Sequence, residues 1–280
     1  HILREVGWSA MRLQGGYKTW RKHVMEQLEL LPRTLRFGVV AGPTGSAKTR
    51  VLEAMQRHGQ QVLNLEALAQ HKGSVLGDLP GQPQPSQKMF ETLLLSALAG
   101  FDPLRPVYAE SESKRVGQLR VPEAVFQGIQ QGQWLRIQTT LEQRVQFLLR
   151  DYGYLIQGGQ GGPDGQGSAL EQQLDRLKEL CGGETVQRWK TLAAAQSFDT
   201  LVAELLTQHY DRFYQRSLSQ HSRVHAPHHS VLASDLSDAG IEALAREIAM
   251  RNEDVGVRLS RPTPCGEYTA VPRANPIIPA

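Results

Sequence analysis

Short apolar runs alternate with amphipathic stretches through the first half of this chain. The apolar runs predict strands at 35–41, 61–64, 106–110 and 134–138, after a shorter one at 11–13. The stretches between them carry apolar residues at helical spacing, which predicts helices at 18–30, 48–58, 65–70, 87–98 and 121–131. Because strands that alternate with helices form parallel sheets covered on both faces, this pattern predicts an α/β fold.

The second half of the chain is predicted to be helical. Helices are expected at 141–150, 169–180, 184–194, 198–217 and 236–250. Ser234 or Asp235 is expected to cap the last of these helices. Glycine and glutamine dominate residues 157–167, which is typical of a linker or loop. The tail from Asn252 contains five prolines and no periodicity, so little structure is expected there.

The sequence Gly-Pro-Thr-Gly-Ser-Ala-Lys-Thr occupies residues 42–49, directly after a predicted strand and directly before a predicted helix. This is the context in which a Walker-type loop cradles phosphates with successive backbone N–H groups. Lys48 can reach the terminal phosphates, and Thr49 can hold a Mg²⁺ ion. The pattern therefore predicts a site for a di- or triphosphate formed by Gly42, Thr44, Gly45, Ser46, Ala47, Lys48 and Thr49.

Ala47 stands where this loop pattern normally has glycine. A methyl group at this position can crowd the approach of the backbone to phosphate, or it can be tolerated if the backbone is helical there. The sequence leaves both possibilities open.

Two further residues are candidates for catalysis. Glu110 ends a predicted strand, at the edge of the sheet where parallel α/β folds bind their ligands, and an acid there can organise Mg²⁺ or a nucleophile. A helix cap or a salt bridge is the structural alternative for this carboxylate. His71 opens a glycine- and proline-rich loop over 71–86 and offers a titratable group, although packing histidines are the commoner case.

Charge and composition narrow the class of protein. Residues 1–57 contain ten Lys or Arg against four Glu, a local net charge of +6 that suits a polyanion such as RNA or, equally, a solvated helix face. The two cysteines, Cys181 and Cys265, lie far apart in sequence and lack metal spacing, which favours a reduced, cytoplasmic chain. No apolar stretch is long enough to cross a membrane.

Several ordered segments together resemble the bacterial tRNA 2-selenouridine synthase family. Beyond the Walker-type loop, the matching segments are 65–69 with 71–74, 84–87 with 90–91, 110–117, and 209–211 with Tyr214 and Ser217. This ordered combination, which runs from about residue 1 to 220, is much more specific than the loop alone. The sequence departs from the family at Ala47, at Asn64, where Asp is usual, and at Lys72, where Arg is usual.

The resemblance implies a rhodanese-like domain followed by a P-loop NTPase-like domain. Residues 13–20 look like the end of the first, so the chain is expected to be a piece of a longer protein. The expected division is 1–31 for the rhodanese-like remnant, 32–155 for the P-loop domain, 156–250 for a helical region and 251–280 for a disordered tail. The reactive rhodanese cysteine would lie just before residue 1, so no residue of this chain is assigned that chemistry.

The resemblance also implies an activity on tRNA. Wobble 2-thiouridine would first be geranylated on sulfur by geranyl diphosphate, and the S-geranyl group would then be displaced by selenium from selenophosphate, giving 2-selenouridine. The loop would hold the diphosphate leaving group, with Mg²⁺ as the expected cofactor. Residues expected to contact substrate are Lys72, Ser74, Gln87, Glu112 and Arg115.

Two other classes of function remain open from the sequence. A small P-loop kinase or NTPase would carry the same loop, and the loop also resembles that of tRNA dimethylallyl transferases, which hold a prenyl diphosphate. Alternatively, with Ala47 in the loop and the cysteine missing, the chain could be a degenerate RNA-binding module. Prenyl transfer would support the tRNA-modifying enzyme, phosphoryl transfer or ATP hydrolysis would support the kinase or NTPase, and salt-dependent RNA binding without either reaction would support the RNA-binding module.

Overall fold

A computed structural model describes residues 2–9, 14–79, 81–111, 114–153, 169–221 and 229–256 of the chain. Its centre is a five-stranded sheet in the order β2-β3-β1-β6-β7, in which every neighbouring pair is parallel. The sheet strands are β1 (Phe37–Ala41), β2 (Gln61–Leu63), β3 (Val107–Glu110), β6 (Gln133–Gln138) and β7 (His229–Leu232). A separate antiparallel pair consists of β4 (Arg115–Val116) and β5 (Leu119–Arg120). The predicted parallel α/β fold with flanking helices is confirmed.

Thirteen α-helices lie within the described residues. The first seven are α1 (Ile2–Glu5), α2 (Gly16–Leu30), α3 (Lys48–Arg57), α4 (Leu65–Ala69), α5 (Gln87–Ala99), α6 (Glu123–Gln130) and α7 (Leu141–Asp151). The remaining six are α8 (Ala169–Asp175), α9 (Lys178–Cys181), α10 (Gly183–Ala194), α11 (Phe198–Leu205), α12 (Asp211–His221) and α13 (Asp238–Gly256). A 3₁₀ turn, Leu31–Thr34, follows α2, and a π-helical segment, Leu206–Tyr210, joins α11 to α12.

Each face of the sheet is covered by its own apolar core. Side chains of successive strand residues point to opposite faces, so Val39 packs with α2, α4, α5 and α6, whereas Val40 packs with α3 and α13. A third cluster surrounds the fully buried Trp189 and joins α8, α10 and α11 with Leu76 of the 71–86 loop. The helical region therefore has a core of its own that also holds one end of that loop.

The structure differs from the prediction in the C-terminal part, where a strand, β7, lies in the region predicted to be helical and a helix, α13, enters the tail predicted to lack structure. Residues 229–232 pair with β6, and only Val231 of β7 is buried, so the strand lacks the apolar run that would reveal it. Helix α13 extends to Gly256, into the tail expected to lack structure. Its cap is Ser237, whose hydroxyl accepts a hydrogen bond from the Gly240 amide at 3.2 Å, and not Ser234 or Asp235.

Smaller differences concern the interiors of predicted helices. The helix predicted at 169–180 is interrupted between Asp175 and Lys178, and the one at 198–217 contains the π-helical segment. By contrast, the expected cap at Ser86 is confirmed, because its hydroxyl accepts a hydrogen bond from the Met89 amide at 3.3 Å. The predicted strand at 11–13, the linker at 157–167 and the tail beyond Gly256 lie outside the described residues.

The domain division stays a prediction, but two packing facts bear on it. Val24 and Leu28 of α2 lie in the same core as α5 and α6, although α2 falls within residues 1–31. Residues 229–256 contribute a strand and a helix to the P-loop sheet, although they fall within or beyond the predicted helical region. Within the described part of the chain, no helix has the length and apolarity that a membrane span requires.

Candidate functional site

The phosphate-type loop leaves β1 at Ala41 and enters α3 at Lys48, as its sequence predicts. Ser46 is fully buried, and its hydroxyl donates to the Pro43 carbonyl at 2.8 Å. A Cβ atom built on Gly42 would lie 2.5 Å from the Ser46 Oγ, and Gly45 has a φ of +84°. Glycine is therefore required at both positions, by close approach at the first and by backbone conformation at the second.

Ala47 adopts a left-handed conformation, with φ 59° and ψ 24°, as the residue that caps α3. This region favours glycine, because in other residues the Cβ atom approaches the following carbonyl oxygen. Ala47 is nevertheless buried with Val51 and Leu52 in the α3-side core. The backbone at Ala47 is therefore helical, but it is left-handed, which is the unfavourable conformation for alanine.

Lys48 and Thr49 meet two carboxylates at the carboxyl ends of neighbouring strands. The Lys48 Nζ lies 3.3 Å from Glu110 Oε1, and both side chains are largely buried. The Thr49 Oγ1 lies 2.9 Å from Glu110 Oε2 and 3.1 Å from Glu66 Oε2. Because β3 lies between β1 and β2, the ends of these three strands bring the loop, Glu110 and Glu66 together.

Glu66 is the member of this group that the sequence did not single out as a site residue. Burial raises the pKa of its carboxyl to about 7, and the charge of Glu110 acts in the same direction. The Thr49 hydroxyl has one hydrogen, so it can donate to only one of the two carboxylates beside it at a time. Two carboxylates and a hydroxyl are the oxygen ligands that suit Mg²⁺, so the residues present fit that ion. The signal available in the sequence was the position of Glu66 in the first turn of α4, just beyond the end of β2.

Arg144 of α7 connects this loop to the helical region. Its side chain is largely buried, and its Nε donates to the Thr44 carbonyl at 2.7 Å. Its Nη1 and Nη2 donate to the two carboxylate oxygens of Asp211, at 3.1 and 2.6 Å. Asp211 is the first residue of α12, so this pair fixes the start of that helix against the phosphate-type loop.

A cavity of about 780 Å³, the P-loop cavity, opens over these groups. Lys72 and Ser74, both predicted to contact substrate, lie on its wall. The Lys72 Nζ lies 2.5 Å from Asp151 Oδ2 and 4.0 Å from the centre of the Tyr152 ring. Aromatic side chains contribute much of the remaining surface: Phe126, Trp134, Phe147, Tyr152, Tyr210, Phe213 and Tyr214.

A second, smaller space, the apolar cavity, adjoins the first. Its lining is Thr44, Ser74, Leu76, Leu148, Tyr152, Leu170, Phe198, Leu201, Val202, Leu205, Leu206 and Tyr210. Thr44, Ser74, Leu148, Tyr152 and Tyr210 line both cavities. Burial raises the pKa of Tyr210 to about 12, and its hydroxyl is hydrogen-bonded to the Ser74 side chain. An apolar space thus continues from the edge of the phosphate-type loop into the helical region.

Other predicted site residues lie elsewhere. His71 is buried with its Nε2 3.2 Å from Asp78 Oδ1, burial lowers its pKa, and it does not line the P-loop cavity. Gln87 joins α5 to β5 through two hydrogen bonds with the Arg120 backbone, at 2.8 and 2.9 Å. Arg115 is exposed on β4 and is not part of the cavity wall. Glu112 lies outside the described residues.

Replacing Ala47 by glycine should leave the free energy of unfolding unchanged or raise it slightly. Relief of the left-handed conformation is worth about 1–2 kcal/mol, against about 0.8 kcal/mol for the lost buried methyl group. Ala54, which is equally buried but lies inside right-handed α3, is the matched control. Ala54→Gly should cost about 1–2 kcal/mol. Urea unfolding of both variants measures this, and equal destabilisation would contradict the argument from conformation.

Glu66 should make the chain less stable as the pH rises from about 4.5 to 7. Its folded-state pKa of about 7 exceeds the ordinary value of 4.5, so the folded protein keeps a proton that the unfolded chain loses over this range. Stability from this group is complete below pH 4.5 and is lost as the pH passes through 7. Urea unfolding across this range should show a shallower decline for Glu66→Gln than for the unchanged chain. Parallel declines would show that Glu66 does not retain its proton.

Comparison with known proteins identifies the family of this chain. The family model described as the tRNA 2-selenouridine synthase AAA domain matches residues 35–232, which include β1 to β7. The tRNA 2-selenouridine synthase of Alcanivorax borkumensis is 33% identical over 238 residues, covering 78% of this chain and 64% of the relative. That of Bordetella bronchiseptica is 33% identical over 236 residues, covering 76% and 62%. The matched region spans less than two thirds of the length of these relatives. Because the family model covers more than half of the chain, the chain belongs to the tRNA 2-selenouridine synthase family.

Proposed function

We propose that this chain takes part in tRNA modification, in the conversion of wobble 2-thiouridine to 2-selenouridine through an S-geranyl intermediate. The names of its relatives support the general activity on tRNA. Within that pathway, the chain would perform the transfer of a geranyl group from geranyl diphosphate to the sulfur of 2-thiouridine.

The observation that carries the geranyl step is the junction of the two cavities. A prenyl diphosphate has an anionic head and an apolar tail, so its site must change from polar to apolar within a few ångströms. Thr44 and Ser74 line both the P-loop cavity and the apolar cavity, whose walls beyond them are mostly leucine, valine and aromatic side chains. A nucleoside triphosphate would place a polar ribose and base beyond its phosphates, and the apolar cavity offers little to bind them.

The loop and its neighbours suit the chemistry of this transfer. The sulfur would attack the first carbon of the geranyl group, a C–S bond would form, and the C–O bond to diphosphate would break. The proton on N3 of the base would pass to solvent. Loop amides and Lys48 would stabilise the charge that develops on the leaving diphosphate. Thr49, Glu110 and Glu66 would hold Mg²⁺, which when bound neutralises diphosphate charge.

The selenium step is expected to require a cysteine that is not assigned to any residue of this chain. In the proposed sequence, the selenium of selenophosphate forms a bond to C2 of the base, the C2–S bond breaks so that the S-geranyl group leaves as a thiol, and water then cleaves the P–Se bond and releases phosphate. The cysteine expected to assist that step belongs to the rhodanese-like part, and no position of this chain is assigned to it. The geranyl step is therefore the one that these residues are proposed to carry.

Transfer should be detectable when the chain is incubated with 2-thiouridine tRNA, geranyl diphosphate and Mg²⁺. Lys48→Ala should lower the rate by roughly 100-fold or more, as expected for a group that stabilises transition-state charge. Mass spectrometry of the digested tRNA measures the S-geranyl nucleoside. Hydrolysis of ATP without prenyl transfer would instead support a kinase or NTPase.

A substitution in the apolar cavity separates tail binding from head binding. Val202→Trp should fill the space, raising the KM for geranyl diphosphate at least about tenfold while leaving the affinity for inorganic pyrophosphate unchanged. Arg188→Ala on the exposed side of the helical region serves as the control for nonspecific damage. Unchanged kinetics in Val202→Trp would place the tail elsewhere.

A further inference from the structure

Helix α12 presents an exposed aromatic ring at the rim of the P-loop cavity. Phe213 is 46% exposed. Other large apolar residues are also exposed in the described part of the chain, but Phe213 is the one among them that lines this cavity. Its exposure is therefore found at the place where a substrate must enter.

The ring is held in position by its surroundings. The buried His209 lies one turn earlier, with its ring centre 4.8 Å from that of Phe213 and the two planes at 59°. Arg216 lies three residues after Phe213, and its Cζ is 5.8 Å from the same ring centre. Asp211, two residues before Phe213, is bound by Arg144, which also binds the phosphate-type loop. A ring fixed in this way loses little conformational freedom when a ligand stacks on it.

The exposed charges next to Phe213 on α12 are positive. Arg212 and Arg216 are both exposed, and Arg212 forms no ion pair with any residue that the structure describes. The acidic residue of this helix turn, Asp211, is already neutralised by Arg144. An exposed aromatic ring on a helix that also carries two exposed arginines is complementary to an unpaired nucleotide, whose base stacks on the ring while its phosphates contact the cations.

A buried polar atom lies beside this surface. The Tyr214 hydroxyl is buried without a hydrogen-bond partner among the described residues, and Tyr214 also lines the P-loop cavity. A buried hydroxyl of this kind costs free energy unless a ligand or a small rearrangement satisfies it. The polar edge of a base that enters the cavity would supply the missing partner.

We infer that Phe213, together with the exposed Arg212 and Arg216 of the same helix, is the stacking surface on which an unpaired base of the tRNA anticodon loop is held at the mouth of the P-loop cavity. This inference rests on the proposed function for the identity of the RNA. Unpaired loop nucleotides are favoured over a duplex, because the bases of a duplex are stacked on each other and cannot reach the ring.

The test measures binding of a synthetic anticodon stem-loop RNA that carries 2-thiouridine in its loop, by fluorescence anisotropy at several salt concentrations. Phe213→Ala should weaken binding roughly 5- to 100-fold, as for the loss of one base–aromatic stack. Phe213→Trp should retain it. Trp8→Ala removes an aromatic ring that is also exposed but lies outside the cavity, and it should have no effect.

Two further measurements identify the surface. Replacing Arg212 and Arg216 together by Gln should lower the slope of log affinity against log salt by about 1.4, whereas Arg246→Gln on the exposed side of α13 should not change it. Affinity of Phe213→Ala for inorganic pyrophosphate should equal that of the unchanged chain, which shows that the loop is intact. A hairpin of the same stem closed by a tight loop should bind weakly and independently of Phe213.

The outcomes separate this inference from the proposed function. Normal binding of the stem-loop RNA by Phe213→Ala, in a chain that transfers geranyl groups, would overturn the inference and leave the proposed function standing. Phe213-dependent binding of the stem-loop RNA in a chain that transfers no geranyl group would support the inference and contradict the proposed function.

Discussion

One buried guanidinium group holds the candidate site together. Arg144 binds the Thr44 carbonyl of the phosphate-type loop with one edge and the Asp211 carboxylate of α12 with the other. Removing the charge of either Arg144 or Asp211 would leave the other charge without compensation in a largely buried position, which proteins tolerate poorly. The loop, the apolar cavity and the exposed ring of Phe213 all depend on this contact for their relative positions, because each lies next to one of its three members.

The second constraint is electrostatic, and it acts at the ends of the strands. Parallel strands bring Glu66 and Glu110 together beside Thr49, and only Lys48 among the described residues lies within ion-pair distance of this pair. Burial raises the pKa of Glu66, and the charge of Glu110 raises it further, because two neighbouring carboxylates oppose each other's ionisation. A divalent cation would relieve this opposition. The same residues that are unfavourable for the protein alone thus supply oxygen ligands of the kind that suits Mg²⁺.

Local signals in the sequence account for what could be predicted. The apolar run of β1 and the glycine-containing loop after it were enough to predict the strand, the loop and α3. The apolar run of β3 was likewise enough to place Glu110 at the end of that strand. Strand β7 could not be recognised, because Val231 alone is buried and the strand exists only through its pairing with β6. The bond between Arg144 and Asp211 joins residues 67 apart in sequence, and no periodic pattern encodes such a partner. His71 was a candidate for catalysis from its residue type alone, with packing as the commoner case, and its Nε2 lies 3.2 Å from Asp78 Oδ1.

The central claim is that the loop and the apolar cavity form one site because Arg144 and Asp211 hold them together. Calorimetric dissociation constants for geranyl diphosphate and inorganic pyrophosphate, in the unchanged chain and in Asp211→Asn, test it most directly. The account predicts that geranyl diphosphate binds more tightly than pyrophosphate in the unchanged chain, and that this preference falls sharply in the variant. An equal affinity for both ligands in the unchanged chain, or a preference that survives in Asp211→Asn, would contradict it.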